Sequence, residues 1–153
     1  VSLATSSPHE LIARGVCILD RQVLLCRHLG TSRSFLPGGH IEAGEDGVIA
    51  LQREFGEELG RDIHIIAFLG VVEHAFTIRG TAVGEVNLVF AVKVPGVAPP
   101  HAPHGMEGHL EFFWQPVDRL DEVSFEPAVF RPLLPQWAQA PQTAASRYAS
   151  TLS

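Results

Sequence analysis

Gly38-Gly39-His40-Ile41-Glu42-Ala43-Gly44-Glu45, followed after Asp46 by the run that ends in Arg53-Glu54-Phe55-Gly56-Glu57-Glu58-Leu59-Gly60, is the stretch around which this chain is organised. The first half reads as a glycine-rich loop, in which the backbone can take unusual angles and let a ligand approach closely. The second half reads as the end of a helix. Glu54, Glu57 and Glu58 stand at i, i+3 and i+4 and fall within roughly 100° of one helical face. Val48, Leu51, Phe55 and Leu59 make a neighbouring apolar face suited to packing on a sheet. The acidic face is locally unfavourable, since like charges at i and i+4 cost about a few tenths of a kcal/mol and Gly56 in a helix interior costs about 1 kcal/mol against alanine. A hard divalent cation reverses the sign of that repulsion, and Mg2+ favours carboxylate and phosphate oxygens together. A solvated acidic face, with Arg53 and Arg61 as counter-charges, is the alternative that these residues alone leave open.

The spacing runs from Gly39 through five residues to Glu45, then through seven to Arg53-Glu54-Phe55-x-Glu57-Glu58-x-Gly60. This resembles the signature of the Nudix hydrolases, with every charged and glycine position present. Two apolar positions depart: Phe55 stands where a smaller aliphatic is usual, and Arg61 where an aliphatic normally closes the motif. Phe55 still suits a buried face, whereas Arg61 implies a more exposed helix end. The resemblance implies a Nudix-type α/β/α sandwich with a mixed sheet (an α+β fold within the broad α/β class). It also implies hydrolysis of a diphosphate bridge with Mg2+, or Mn2+ in its place. It makes Glu57 and Glu58 the main metal ligands and Glu54 a ligand or the base. Arg53 would hold Glu54, Glu45 would orient the group from the loop, and the Gly38 carbonyl would be a further ligand. A carboxylate from outside the motif often joins such a site, and Glu85, Glu107 and Glu111 are the candidates.

The remaining composition narrows the class. A chain of 153 residues is one domain by size, long enough for a single core. A formal net charge of −6 argues against a broad basic surface for duplex nucleic acid, but not against a small nucleotide held through a cation. Cys17 and Cys26 flank a hairpin turn expected near Arg21-Gln22. Two cysteines are no disulfide framework, and buried reduced thiols are expected. No apolar run reaches the roughly 18 residues needed for a membrane span, and the N-terminal residues show no basic stretch followed by an apolar core. A soluble cytoplasmic protein, monomer or homodimer, is the expectation.

Along the chain, residues 1–10 read as a loose arm. Residues 11–19 and 22–27 read as paired strands. Arg14 and Arg27 lie on them. Arg27 is a candidate phosphate clamp, whereas Arg14 reads better as solvent-facing. Phe35 is a candidate wall for a base, and Gly39 for close approach of the substrate. Asp46 is the expected N-cap of a helix over 47–59, with Gly60 as its stop. Residues 62–77 read as one or two strands broken at Gly70, and 85–94 as a strand. Residues 95–108 form a long Pro-, Gly- and His-rich loop, a length that in compact domains goes with function or motion. The irregular spacing of His101, His104 and His109 does not make a metal site. A short strand over 110–115 and a turn or short helix over 116–121 follow. A helix broken by Pro132 and Pro135 is expected within 125–140, and a disordered tail over 141–153.

The expected function is a Mg2+-dependent hydrolase of a nucleoside diphosphate linked to another group: ADP-ribose, a nucleotide sugar, a dinucleoside polyphosphate or a modified nucleoside triphosphate. The alternative is a nucleotide-sensing module on the same fold, binding without turnover. Retention of Glu54, Glu57 and Glu58 weighs against it.

Overall fold

The computed structural model describes residues 9–139. The expected tail over 141–153 and most of the expected N-terminal arm therefore lie outside the described residues. His9 and Glu10 do not belong to an arm: they open strand β1, His9–Val16.

Strands divide over two mixed sheets. In the first, β1 pairs antiparallel with β5 (Gly38–His40) and parallel with β7 (Thr81–Lys93), and β7 pairs antiparallel with β6 (His64–Ile78), giving the order β5-β1-β7-β6. In the second, β3 (Gln22–His28) pairs along its whole length with β8 (Leu110–Pro116). A strand has two edges, so the short strands β2 (Ile18–Leu19) and β4 (Arg33–Phe35) share the other one at opposite ends. β9 (Ser124–Phe125) then pairs parallel with β4.

The expected hairpin of residues 11–19 with 22–27 is only partly formed. Only Ile18 and Leu19 pair with β3, because β1 takes its partners in the other sheet. The turn falls at Asp20-Arg21, both at positive φ of 50° and 55°, the primed geometry that suits a two-residue hairpin. Arg79-Gly80 repeats it between β6 and β7, with φ of 48° and 79°. β6 is a single strand; the expected break at Gly70 is a register shift within it, with a second between Ile65 and Ala67. Cys17 and Cys26 are buried and free. The Cys17 carbonyl accepts from the Leu24 N–H at 2.9 Å, so Cys17 stands opposite Leu24 and not opposite Cys26.

Helix α1 spans Gly47–Leu59. Asp46 caps it, its carboxylate accepting from the Ile49 N–H at 2.8 Å, and Gly60 closes it at φ 61°. Ala50, Leu51, Phe55 and Leu59 are buried against Ala13, Cys17, Leu24, Cys26, Phe90 and Val92, so α1 packs on residues of both sheets. A second cluster, on the other side of the sheets, joins Val16, Val23, Leu25, Leu36 and Val89 to Phe125, Phe130 and Leu134. The last of these belongs to the short helix α2, Leu133–Gln139. Two sheets between a long helix and a short one make an α+β architecture with helices on both faces.

Candidate active site

The glycine loop is held against β1 by its own backbone. Gly15 N–H donates to the Pro37 carbonyl and Ile41 N–H to the Leu11 carbonyl, both at 2.9 Å. Alternation along an antiparallel pair then turns the Gly38 N–H and C=O away from β1. The Gly38 N–H meets the Glu58 carboxylate. Gly38 has φ 134°, and a side chain there would run into the Ala13 carbonyl. At Gly39 a side chain would run into the Glu54 carboxylate. Both glycines are therefore dictated by close approach, Gly39 by approach of a site residue itself.

Arg53 is the hub of the charged cluster. Its Nη2 and Nε donate to the two oxygens of Glu45 at 2.6 and 3.1 Å. Nη2 also donates to the His40 carbonyl at 2.9 Å, and Nη1 to Glu54 at 2.8 Å. Glu57 stands farther off, 3.4 Å from Nη1. Glu45 in turn accepts from the Glu42 N–H at 2.8 Å, and the Arg53 hydrogen bond holds its carboxyl below the usual range. The forked, charge-assisted geometry fixes the loop to the helix.

The three helix carboxylates are not equivalent, and here the structure corrects the picture of two separate faces. At about 100° per residue, Glu58 falls beside Leu51 and Phe55, in the packing stripe, and is only 6% exposed. The Glu54 side chain is 16% exposed and that of Glu57 53%. The acidic edge thus grades from core to solvent. Burial, and then the charge of Glu54, push the Glu58 carboxyl up to about 8, against the smaller opposing pull of Arg14. Glu58 Oε2 is buried with no hydrogen-bond partner. An orphaned buried carboxylate oxygen next to a second carboxylate is an unsatisfied arrangement, and a hard cation would satisfy it. The donor set, all oxygen, fits Mg2+ or Mn2+. Among the described residues no three acidic, His or Cys side chains are already gathered as a cage.

A pocket of about 650 Å3 is lined among others by Arg14, His28, Phe35, His74, Phe76 and Glu85 and by none of the motif carboxylates; Arg14, within electrostatic reach of Glu54 and Glu58, is its link to them. Phe35 lines it while also packing on the core. Arg27 is elsewhere: Nε donates to Glu111 at 2.9 Å and the guanidinium lies over Phe113, 4.9 Å from the ring centre. Arg14 is not solvent-facing; it is half-buried in the pocket wall. Of the outside carboxylates, Glu85 lines the pocket. Glu107 pairs with His109 at 3.2 Å and its charge reaches Glu58. Glu111 is held by Arg27 below its usual range. Arg14, His74 and Phe76 were not legible as pocket residues, because nothing in the sequence shows that β1 pairs with the glycine-loop strand β5 or that β6 joins them through β7. Burial of Glu58 was not anticipated either, although its spacing of seven residues from Leu51 carries the signal.

A family model for the NUDIX domain matches residues 9–137. No curated protein matches the chain in sequence. Among solved structures it is similar to the NUDIX hydrolase from Nitrosomonas europaea (18% identity, covering 85% of this chain and 88% of that one, TM-score 0.67). It is likewise similar to the MutT protein from Methanosarcina mazei Go1 (21%, 88% and 96%, TM-score 0.66) and to the E. coli ORF135 protein (22%, 85% and 89%, TM-score 0.59). At these identities the structures speak for the fold, while the family match spans both sheets and the whole glycine-loop and helix motif. The chain therefore belongs to the NUDIX family and is a Nudix hydrolase.

Proposed function

We propose that this chain hydrolyses the diphosphate bridge of a nucleoside diphosphate joined to another group, with Mg2+ (or Mn2+) bound at Glu58, Glu54 and Glu57 and the Gly38 carbonyl. The observation that carries this reading is the orphaned Glu58 Oε2, buried beside Glu54 and in contact with the glycine loop. The cation, when bound, offsets the charge of the bridge and favours attack by water. The chain's own residues do the rest. Arg53 keeps Glu54 aimed at the loop, where Gly39 leaves room for its carboxylate. Glu54 is then placed to take the proton of the attacking water or to share the cation. Water adds to one phosphorus, the bridging P–O bond breaks, and the two products are a nucleoside monophosphate and the phosphorylated remainder. Phe35, with His28 and the β6 side chains, offers flat apolar walls to a base.

The test is a panel of ADP-ribose, nucleotide sugars, dinucleoside polyphosphates and modified triphosphates with Mg2+, read by product chromatography. Glu57→Gln and Glu58→Gln should each cut turnover by at least about 100-fold while circular dichroism stays native. Near-normal activity in both variants rejects the metal assignment. Tight binding of one substrate with no hydrolysis of any rejects the enzyme in favour of a nucleotide sensor.

A further inference from the structure

Arg14 is a half-buried cation for which the fold gives no direct ion pair among the described residues. Its Nη1 donates to the Leu36 carbonyl at 2.9 Å and its Nε approaches Asn87 Oδ1 at 3.4 Å. Asn87 is itself fully buried and is held by donating to the Val72 carbonyl at 3.2 Å. These bonds use Nε and Nη1; Nη2 takes part in neither. The guanidinium lies 5.9 Å from the centre of the Phe35 ring and lines the pocket. It is also within electrostatic reach of Glu85 in that pocket and of Glu54 and Glu58 on the helix edge. Leu36, whose carbonyl anchors it, is two residues ahead of Gly38. Arg14 therefore stands at the junction between the aromatic pocket and the carboxylate edge. A half-buried guanidinium with nearby carboxylates but no direct ion pair still has donors to offer a ligand, and its fork is shaped to take two oxygens of one phosphate.

We propose that Arg14 is the positioning residue that grips the nucleoside-proximal phosphate as the substrate passes from the aromatic pocket to the metal edge. The proposal rests on the function inferred above, and deepens it by assigning the phosphate contact to β1. A ligand that fills the pocket and reaches the carboxylate edge would meet Arg14, which lines the pocket and lies within electrostatic reach of Glu54 and Glu58. The bonds to Leu36 and Asn87 hold the fork in place before the substrate arrives, so little rotamer freedom is lost on binding.

The test separates a phosphate contact from mere support of Leu36. Calorimetry in EDTA would measure adenosine, guanosine, cytidine and uridine, and their 5′-monophosphates, against wild type, Arg14→Gln and Arg14→Lys. Wild type should bind its best monophosphate about 10- to 100-fold more tightly than the matching nucleoside. Arg14→Gln should erase that preference while leaving nucleoside affinity within about twofold, and Arg14→Lys should retain only part of it. If Arg14→Gln fails to fold, the lysine variant carries the same comparison. Undiminished preference in either folded variant overturns the proposal, as does equal loss of nucleoside and monophosphate affinity, or no preference in wild type. Failure of the proposed function reads out separately, as absence of hydrolysis by wild type with Mg2+.

Discussion

Glu58 concentrates the chemistry of the site in one side chain. Its carboxyl is pushed up to about 8 from an ordinary 4.5, first by burial and then by Glu54. A carboxyl that binds its proton more tightly when folded adds stability that is fully present below its unfolded pKa and is lost as pH rises through the folded value. In the absence of metal the protein should therefore lose stability between about pH 5 and pH 9, on the order of a few kcal/mol. Glu58→Gln should flatten that fall and be the more stable protein at pH 9, though inactive. Thermal melts in EDTA across this range check it; a wild-type profile as flat as the variant's would contradict the buried, strained carboxylate. Gly39→Ala tests the close approach of the loop to Glu54. A methyl group would displace the Glu54 carboxylate, so activity should fall by at least about tenfold with melting temperature nearly unchanged, as measured by turnover and calorimetry on the same sample.

At the scale of elements, the departure of Phe55 from the usual smaller aliphatic has a local answer on β1. A Cβ at Gly15 would lie 2.7 Å from the Phe55 ring, so the missing side chain on the strand makes room for the ring on the helix. Gly15→Ala should destabilise by about 1–3 kcal/mol through overpacking, and Phe55→Leu by a similar amount through the space it leaves. The double variant should lose clearly less than the sum, and a denaturant double-mutant cycle measures the coupling. Strict additivity would mean that the two positions do not compensate. The other departure, Arg61, is exposed past the helix stop and its Nη1 is 3.5 Å from the Pro95 carbonyl. Ile63, buried two residues later, takes up the packing. The loop over 95–108 is likewise no free excursion: the Met106 N–H donates to the Glu58 carbonyl at 2.7 Å, and the Trp114 indole N–H to the His101 carbonyl at 2.9 Å.

For the whole molecule, α1 is the common wall of the core and the site, since Leu51 and Phe55 pack on both sheets while Glu58 faces the glycine loop. Binding of a cation at that edge should accordingly stabilise the domain as a unit. Mg2+ at about 100 times its dissociation constant should add about 2.7 kcal/mol, or roughly 5–10 °C in melting temperature for a domain of this size. Glu58→Gln should lose most of that shift. An equal rise in both proteins would place the cation elsewhere, and no rise in either would mean that it does not bind the folded domain.

What the sequence determined by itself is local. Helix α1 was legible to the residue because Asp46 and Gly60 are chemical stop signals that act on their own backbone. The carboxylates and glycines of the motif were legible because their spacing is that of one helix and the loop before it. What tertiary structure alone decided is everything that depends on strands far apart in the chain. β1 deserts its expected hairpin partner because its ladder with β7, over His9–Val16, continues farther than two residues of hairpin can. That pairing carries Arg14 from an anticipated solvent face into the pocket wall, while pairing of β3 with β8 draws Arg27 to Glu111. A period-2 pattern says which side chains share a face but not which sheet, or which neighbour, that face will meet, so the partners of a strand arginine are settled only when the sheets assemble.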